Sequence, residues 1–205
     1  KLYLEALNKI PIDQYKGIVL NGGMTLNPGR GIEYIIPVVK AIKAIYPKTK
    51  IAVEIAPPKN LIWIEKLKET GIESLMMNLE CWDDRVRENI IPGKSPKQQY
   101  LNSFDKAVEM FGKGFISSCF IVGIESMTSL KEGIRITTEH GVIPSPLAGR
   151  YFEDIPNYPF TPTIDYHDFL EIAYYVKKMI HKNNVVSSDM AGCVACGMCD
   201  IIHSL

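Results

Sequence analysis

Cys193, Cys196 and Cys199 lie in a C-x2-C-x2-C spacing, with only Val194, Ala195, Gly197 and Met198 between them. Three thiolates this close can converge on one metal centre. Small residues between them let the backbone wrap a cubane, which is the pattern of a ferredoxin-type iron–sulfur loop. A structural zinc site normally pairs two cysteines with two more cysteines or two histidines, and His203 is the one histidine nearby. His203 stands where ferredoxins place a further cysteine, so it reads either as a solvated terminal residue or as a fourth ligand. Three cysteines without a clear fourth leave one iron open to substrate, a small ligand or a partner residue.

The other candidates are more dispersed. Cys119 sits in an apolar run and reads as core packing, since a thiol behaves as a small hydrophobe, and structural use is also the reading for Cys81. His140, His167 and His181 have no spaced partners. Arg150 is a candidate bidentate clamp for a substrate carboxylate.

The elements that must position these groups alternate regularly. Apolar runs at 17–20, 50–56, 74–80, 115–122 and from Val142 read as strands. Between them, 32–46, 60–68, 95–111 and 126–139 read as helices, and 166–181 as a last one, with Pro47 and Gly71 as stop signals and Asn60 and Ser126 as caps. Strands separated by helices imply parallel βαβ units in a sheet buried on both faces. After Pro144 a Pro- and aromatic-rich stretch replaces this rhythm and is expected to cross the mouth of the sheet. In such folds ligands bind at the carboxyl ends of the strands. Those ends carry Asn21-Gly22-Gly23-Met24-Thr25, Glu54, Asn78-Leu79-Glu80 and Gly123-Ile124-Glu125-Ser126. Taken singly, each reads as a turn or a capping residue. Gathered on one rim, they point to a binding site.

In this order, Leu20-Asn21-Gly22-Gly23, Met77-Asn78-Leu79-Glu80, Ile91-Pro92-Gly93-Lys94-Ser95 and Phe120-Ile121-Val122-Gly123-Ile124-Glu125-Ser126 resemble the radical S-adenosylmethionine superfamily. The likeness is nearest to its biotin synthase branch, with the lipoyl synthase and tyrosine and tryptophan lyase relatives, and covers about residues 10–148. It implies an α/β fold, a partial TIM-type (β/α)6 parallel barrel of which this chain holds the second to sixth strands. Residues 1–148 are then the barrel, and 149–205 a capping segment, a helix and the cysteine-rich tail.

The resemblance also implies cofactors and roles. S-adenosyl-L-methionine is expected at Gly22 and Gly23, whose carbonyls would accept from its ammonium, and at Asn78 and Glu80, which would bond its ribose. Asn78 and Glu80, two apart on a strand, are expected on one face. Lys94 is a candidate for a ligand carboxylate, and Val122, Gly123 and Ile124 for contact with adenine. Met24 stands where the superfamily often has an acid. The superfamily's catalytic [4Fe–4S] loop, usually C-x3-C-x2-C, is absent before the first strand and is expected upstream of Lys1, so the activity belongs to an intact chain. Cys193, Cys196 and Cys199 would then hold an auxiliary [4Fe–4S] cluster. The implied enzyme uses a 5′-deoxyadenosyl radical on a small organic substrate, with an electron-donor protein as partner. Sulfur insertion, slightly favoured by the terminal cysteines, and lyase or rearrangement chemistry both stay open. The alternative is a noncatalytic iron–sulfur electron carrier or scaffold.

Composition bounds the classes. Lys plus Arg and Asp plus Glu both total 23, so no charge footprint invites nucleic acid or an anionic membrane. No apolar stretch is long enough to span a bilayer, and a cytoplasmic location is expected.

Overall fold

The structure is a computed structural model that describes residues 2–149 and 164–185. Arg150 and the three terminal cysteines lie outside the described residues. Five strands form one parallel sheet in sequential order: β1 (Ile18–Asn21), β2 (Ile51–Glu54), β3 (Ser74–Met76), β4 (Ile116–Val122) and β5 (Ile143–Ala148). A short helix α1 (Leu2–Leu7) and a 3-10 turn (Ile12–Gln14) precede them. The crossovers are α2 (Ile32–Ile45), α3 (Ile62–Lys68), the pair α4 (Asp84–Ile90) and α5 (Lys97–Phe111), and α6 (Met127–Glu139); α7 (Tyr166–Lys182) packs on α6 and β5.

Sequential parallel order is the signature of a sheet wound in one direction, with its helices on one face. Packing confirms this. One large core joins Ile51, Val53, Leu75, Met77, Ile116, Phe120 and Val122 of the strand region to Val39, Ile42, Ile64, Leu67, Tyr100, Phe104, Leu130 and Ile134 of the helices. On the other face Ala52 and Met76 form a separate two-residue cluster, and Val19 is 44% exposed. Helices cover one face of the sheet; on the other Ala52, Met76, Ser117, Cys119 and Ser145 are buried too, and only the edge strand β1 is exposed there. The sequence-based expectation of burial on both faces holds for β2 to β5 and fails at the edge strand β1.

Three element boundaries differ from expectation, each for a physical reason. The helix expected from Ser95 starts at Lys97, after Pro96. Helix α4 has too few apolar residues to show a helical stripe. It exists because Asp83 caps it, its carboxylate accepting from the Arg85 and Val86 amides at 2.8 and 3.1 Å.

The third difference matters most. The strand expected over 74–80 ends at Met76, and the ladder to β4 then slips by one residue. Leu75 N donates to Phe115 O and Met77 N to Ser117 O, but Cys119 O is taken by Glu80 N and not by Leu79 N. Leu79 N donates instead to Ser118 Oγ at 3.0 Å. This is a β-bulge, and Glu80 sits in it at φ 72°. Asn78 and Glu80 are thus not aligned by strand alternation, because the extra residue breaks it.

Candidate functional site

A cavity of about 490 Å³ opens at the carboxyl ends of β1, β2 and β3. Asn21, Gly22 and Met24 form one side, Glu54, Ile55 and Ala56 the floor, Asn78 a third side, and Ile90 to Lys94 the wall that follows α4. Asn21 and Glu54 are paired in register, and Gly22 N donates to Glu54 O at 2.8 Å, which sets the Glu54 carboxylate beside the glycine pair.

Hydrogen bonds fix the polar groups. Asn78 Nδ2 donates to Glu54 Oε1 at 2.6 Å, while Asn78 Oδ1 accepts from Cys119 N at 3.1 Å, so the amide can face only one way. Lys94 Nζ pairs with Glu80 Oε1 at 2.8 Å and reaches Asn78 O at 3.3 Å. Glu80 therefore has its cation in direct contact, whereas among the described residues the hydrogen-bond partner of the Glu54 carboxylate is the neutral Asn78 amide. Burial, and then the Glu80 carboxylate, raise the Glu54 carboxyl above its ordinary pKa against the pull of Lys94 and Asn78. Burial works against the Lys94 charge, yet Glu80, Tyr100 and Glu54 together outweigh it and raise that pKa too.

Of the residues read from the sequence, Gly22, Asn78 and Lys94 come together on this cavity, and Glu80 joins them through Lys94. Gly23 lies on a neighbouring cavity with Val19, Thr25, Gly31 and Tyr34. The two glycines differ in kind. A Cβ on Gly22 would meet Ile55 Cγ2 at 3.2 Å and press on that side chain, whereas nothing lies within 4 Å of the Cβ position at Gly23. Val122 is fully buried in the main core, Gly123 turns at φ 102°, and Ile124 is nearly buried; none of the three lines the cavity.

Sequence reading passed over three supports. Glu54 was noted only as a strand end. Glu125 accepts from the Trp82 and Asp83 amides, each at 2.8 Å, and from Ser129 Oγ, tying the β4–α6 turn to the bulged loop. Arg87 is buried under that loop.

The implied groups fit unequally. A cationic ligand fits the cavity, since among the described residues the Glu54 carboxylate makes no ion pair, Lys94 being paired with Glu80. For a cluster, no group of three or more His, Cys, Asp or Glu side chains able to hold a metal occurs among the described residues. Cys81 is fully buried, and burial together with the Glu125 carboxylate pushes its thiol up to about 12, so it stays protonated and structural. Cys119, 8% exposed, is likewise core-like. His140 pairs with Asp105.

Gly31 couples the glycine pair to the start of α2. It has φ 111°, and a Cβ there would stand 2.7 Å from Gly23 O. Gly31→Ala is expected to cost about 1–2 kcal/mol from the left-handed backbone alone and to displace the Gly23 carbonyl. Urea unfolding measures the first effect and amide chemical shifts at 22–25 the second; wild-type values for both would contradict this geometry.

No family model matches the chain. The bacteriochlorophyllide c C-7(1)-hydroxylase of Chlorobaculum limnaeum is 32% identical over 101 residues, which is 47% of this chain and 25% of that relative. Among solved structures, the [FeFe]-hydrogenase maturase HydG from Carboxydothermus hydrogenoformans superposes with a TM-score of 0.63 at 21% identity, over 87% of this chain and 43% of its own. Coproporphyrinogen III oxidase (HemN) from Escherichia coli, described as a radical SAM enzyme, superposes with a TM-score of 0.62 at 14% identity, over 89% and 45%. The chain thus spans about a quarter of the curated relative and under half of either solved chain. No described helix is long and apolar enough to cross a membrane. Over most of its length, this chain has the partial α/β barrel fold seen in a radical SAM enzyme.

Proposed function

We propose that this chain is the S-adenosyl-L-methionine-binding barrel of a radical S-adenosylmethionine enzyme acting on a small organic substrate. The observation that carries the reading is the strand-end cavity, where the half-buried Glu54 carboxylate, with no ion pair among the described residues, sits beside the glycine pair. Glu54 and the main chain at Gly22 and Gly23 receive the ammonium of the methionyl group. Glu54 thereby takes the place of the acid that Met24 does not supply. Asn78 holds Glu54 and, with Glu80, meets the ribose. Two of the Lys94 donors are engaged by Glu80 and Asn78 O, which leaves one for the methionyl carboxylate. Ile90, Ile91 and Pro92 close the wall with apolar surface and keep water from the reacting end.

When bound beside a reduced [4Fe–4S] cluster, the cofactor supplies a 5′-deoxyadenosyl radical that abstracts hydrogen from the substrate. The barrel contributes binding, orientation and exclusion of water. The electron would come from a donor protein, and Cys193, Cys196 and Cys199 are proposed to hold an auxiliary cluster. Those cysteines favour sulfur insertion over lyase or rearrangement chemistry. The biotin synthase-like branch rests on the sequence resemblance alone.

Calorimetric titration of the chain with S-adenosyl-L-homocysteine and S-adenosyl-L-methionine tests the reading. Binding of both is expected, and weaker binding of adenosine, which lacks the amino-acid end. A folded chain that binds none of them at millimolar concentration overturns it.

A further inference from the structure

Arg87 is 6% exposed, and its guanidinium donates to three main-chain carbonyls. Nη1 donates to Leu79 O and to Cys81 O, the latter at 3.1 Å, and Nη2 donates to Ser95 O at 2.8 Å. Its plane lies 5.3 Å from the centre of the fully buried Tyr100 ring. The positions of those carbonyls are informative. Leu79 and Cys81 flank Glu80, and Ser95 follows Lys94. One rigid fork therefore grips the chain on both sides of the bulged acid and directly after its lysine partner.

Glu80 needs such a grip. At φ 72° it occupies a region that non-glycine residues rarely adopt, and its own N–H and C=O are bound to Cys119 O and Ile121 N on β4. With the backbone of Glu80 held by β4 and the adjacent carbonyls by Arg87, the direction in which its side chain leaves the main chain is fixed. Its carboxylate lies 2.8 Å from Lys94 Nζ. A lysine at position 87 would offer a single ammonium and could not span both loops with the same geometry.

We infer that Arg87 is a positioning residue that locks the Glu80–Lys94 pair into the arrangement the cavity presents to ligand. This deepens the S-adenosylmethionine reading by naming what preorganises its ribose- and carboxylate-facing groups. Arg87 acts through main-chain carbonyls, and it is not a catalytic residue.

The test is a set of double-mutant cycles. Glu80→Gln and Lys94→Met are made singly and together in the wild-type, Arg87→Met and Arg87→Lys backgrounds. Urea unfolding of the ligand-free chain reads the coupling between Glu80 and Lys94, and calorimetry with S-adenosyl-L-homocysteine reads affinity. The expected result is clear coupling in wild type, none with Arg87→Met, and a reduced value with Arg87→Lys. Affinity is expected to fall by about tenfold with Arg87→Met even where the protein stays folded, as for a loss of pre-organisation. Coupling or affinity unchanged in the folded Arg87 variants overturns the inference and leaves Arg87 as a structural staple. Failure of both variants to fold does the same. Should wild type bind no S-adenosyl-L-homocysteine, the cofactor reading falls, while the ligand-free coupling still decides the role of Arg87.

Discussion

Glu54→Gln is expected to weaken S-adenosyl-L-methionine binding by about ten- to a hundredfold, the scale of one charge-assisted hydrogen bond of about 1.5–3 kcal/mol. The glutamine keeps the shape and can still accept from Asn78, so the loss isolates the charge. 5′-Methylthioadenosine, which lacks the amino-acid end, is expected to bind wild type and variant alike. The pH dependence follows from the raised pKa of Glu54, caused first by burial and then by Glu80. Between the ordinary carboxyl pKa of the unfolded chain and the raised folded value, the folded state holds more protons than the unfolded state. Stability therefore falls as pH rises through that window, and Glu54→Gln removes this slope. Ligand affinity moves the opposite way, because the cation needs the ionised carboxylate: it rises with pH through the folded pKa, and binding within the window releases a proton. Calorimetry in buffers of different ionisation enthalpy measures that release. Unchanged affinity and no proton release in wild type would remove Glu54 from the site.

Gly133→Val is expected to destabilise the fold by about 3 kcal/mol, at the upper end for overpacking a core. Gly133 lies inside α6, where alanine would ordinarily be favoured by about 1 kcal/mol on propensity. Here a Cβ would stand 2.7 Å from Trp82 Cβ and 2.9 Å from Phe120 Cε1. Neither neighbour can retreat easily. Trp82 is held by its N–H on Glu125, by Lys97 Nζ on its carbonyl at 2.9 Å, and by the same ammonium over its ring; Phe120 is fully buried. Gly133→Ala is accordingly expected to destabilise as well, by less than valine. Urea midpoints measure both, and a stabilised alanine variant would show that α6 and the Trp82 loop have room to part. Because Trp82 is two residues from Glu80, the strain is also expected to reach the cavity.

Much of the scaffold was legible because it is written in local pattern. Short apolar runs closed by Gly, Pro or Asn marked all five strands, and helix-length crossovers made them parallel. Gly22, Asn78 and Glu80 stood out as strand-end residues, while Lys94, which lies between α4 and α5, came only from the family resemblance. The charged run Asp83-Asp84-Arg85-Val86-Arg87 was opaque for the same reason. Nothing local separates the exposed Arg85 from the buried Arg87, and a seven-residue helix is too short to declare a periodicity.

By itself the sequence determined the parallel α/β architecture, the order of its units and the strand ends on which a ligand site must lie, since each follows from hydrophobic period, turn residues and crossover length. Tertiary structure alone decided the rest: that the edge strand β1 stays exposed, that Glu80 sits in a bulge, that Lys94 belongs to Glu80, and that Asn78 holds the Glu54 carboxylate. These depend on pairs 14 to 41 residues apart, such as Glu80 with Lys94, Glu54 with Asn78, and Asn78 with Cys119. Such pairs are set by how strands from separate units register across the barrel, and no local periodicity encodes that.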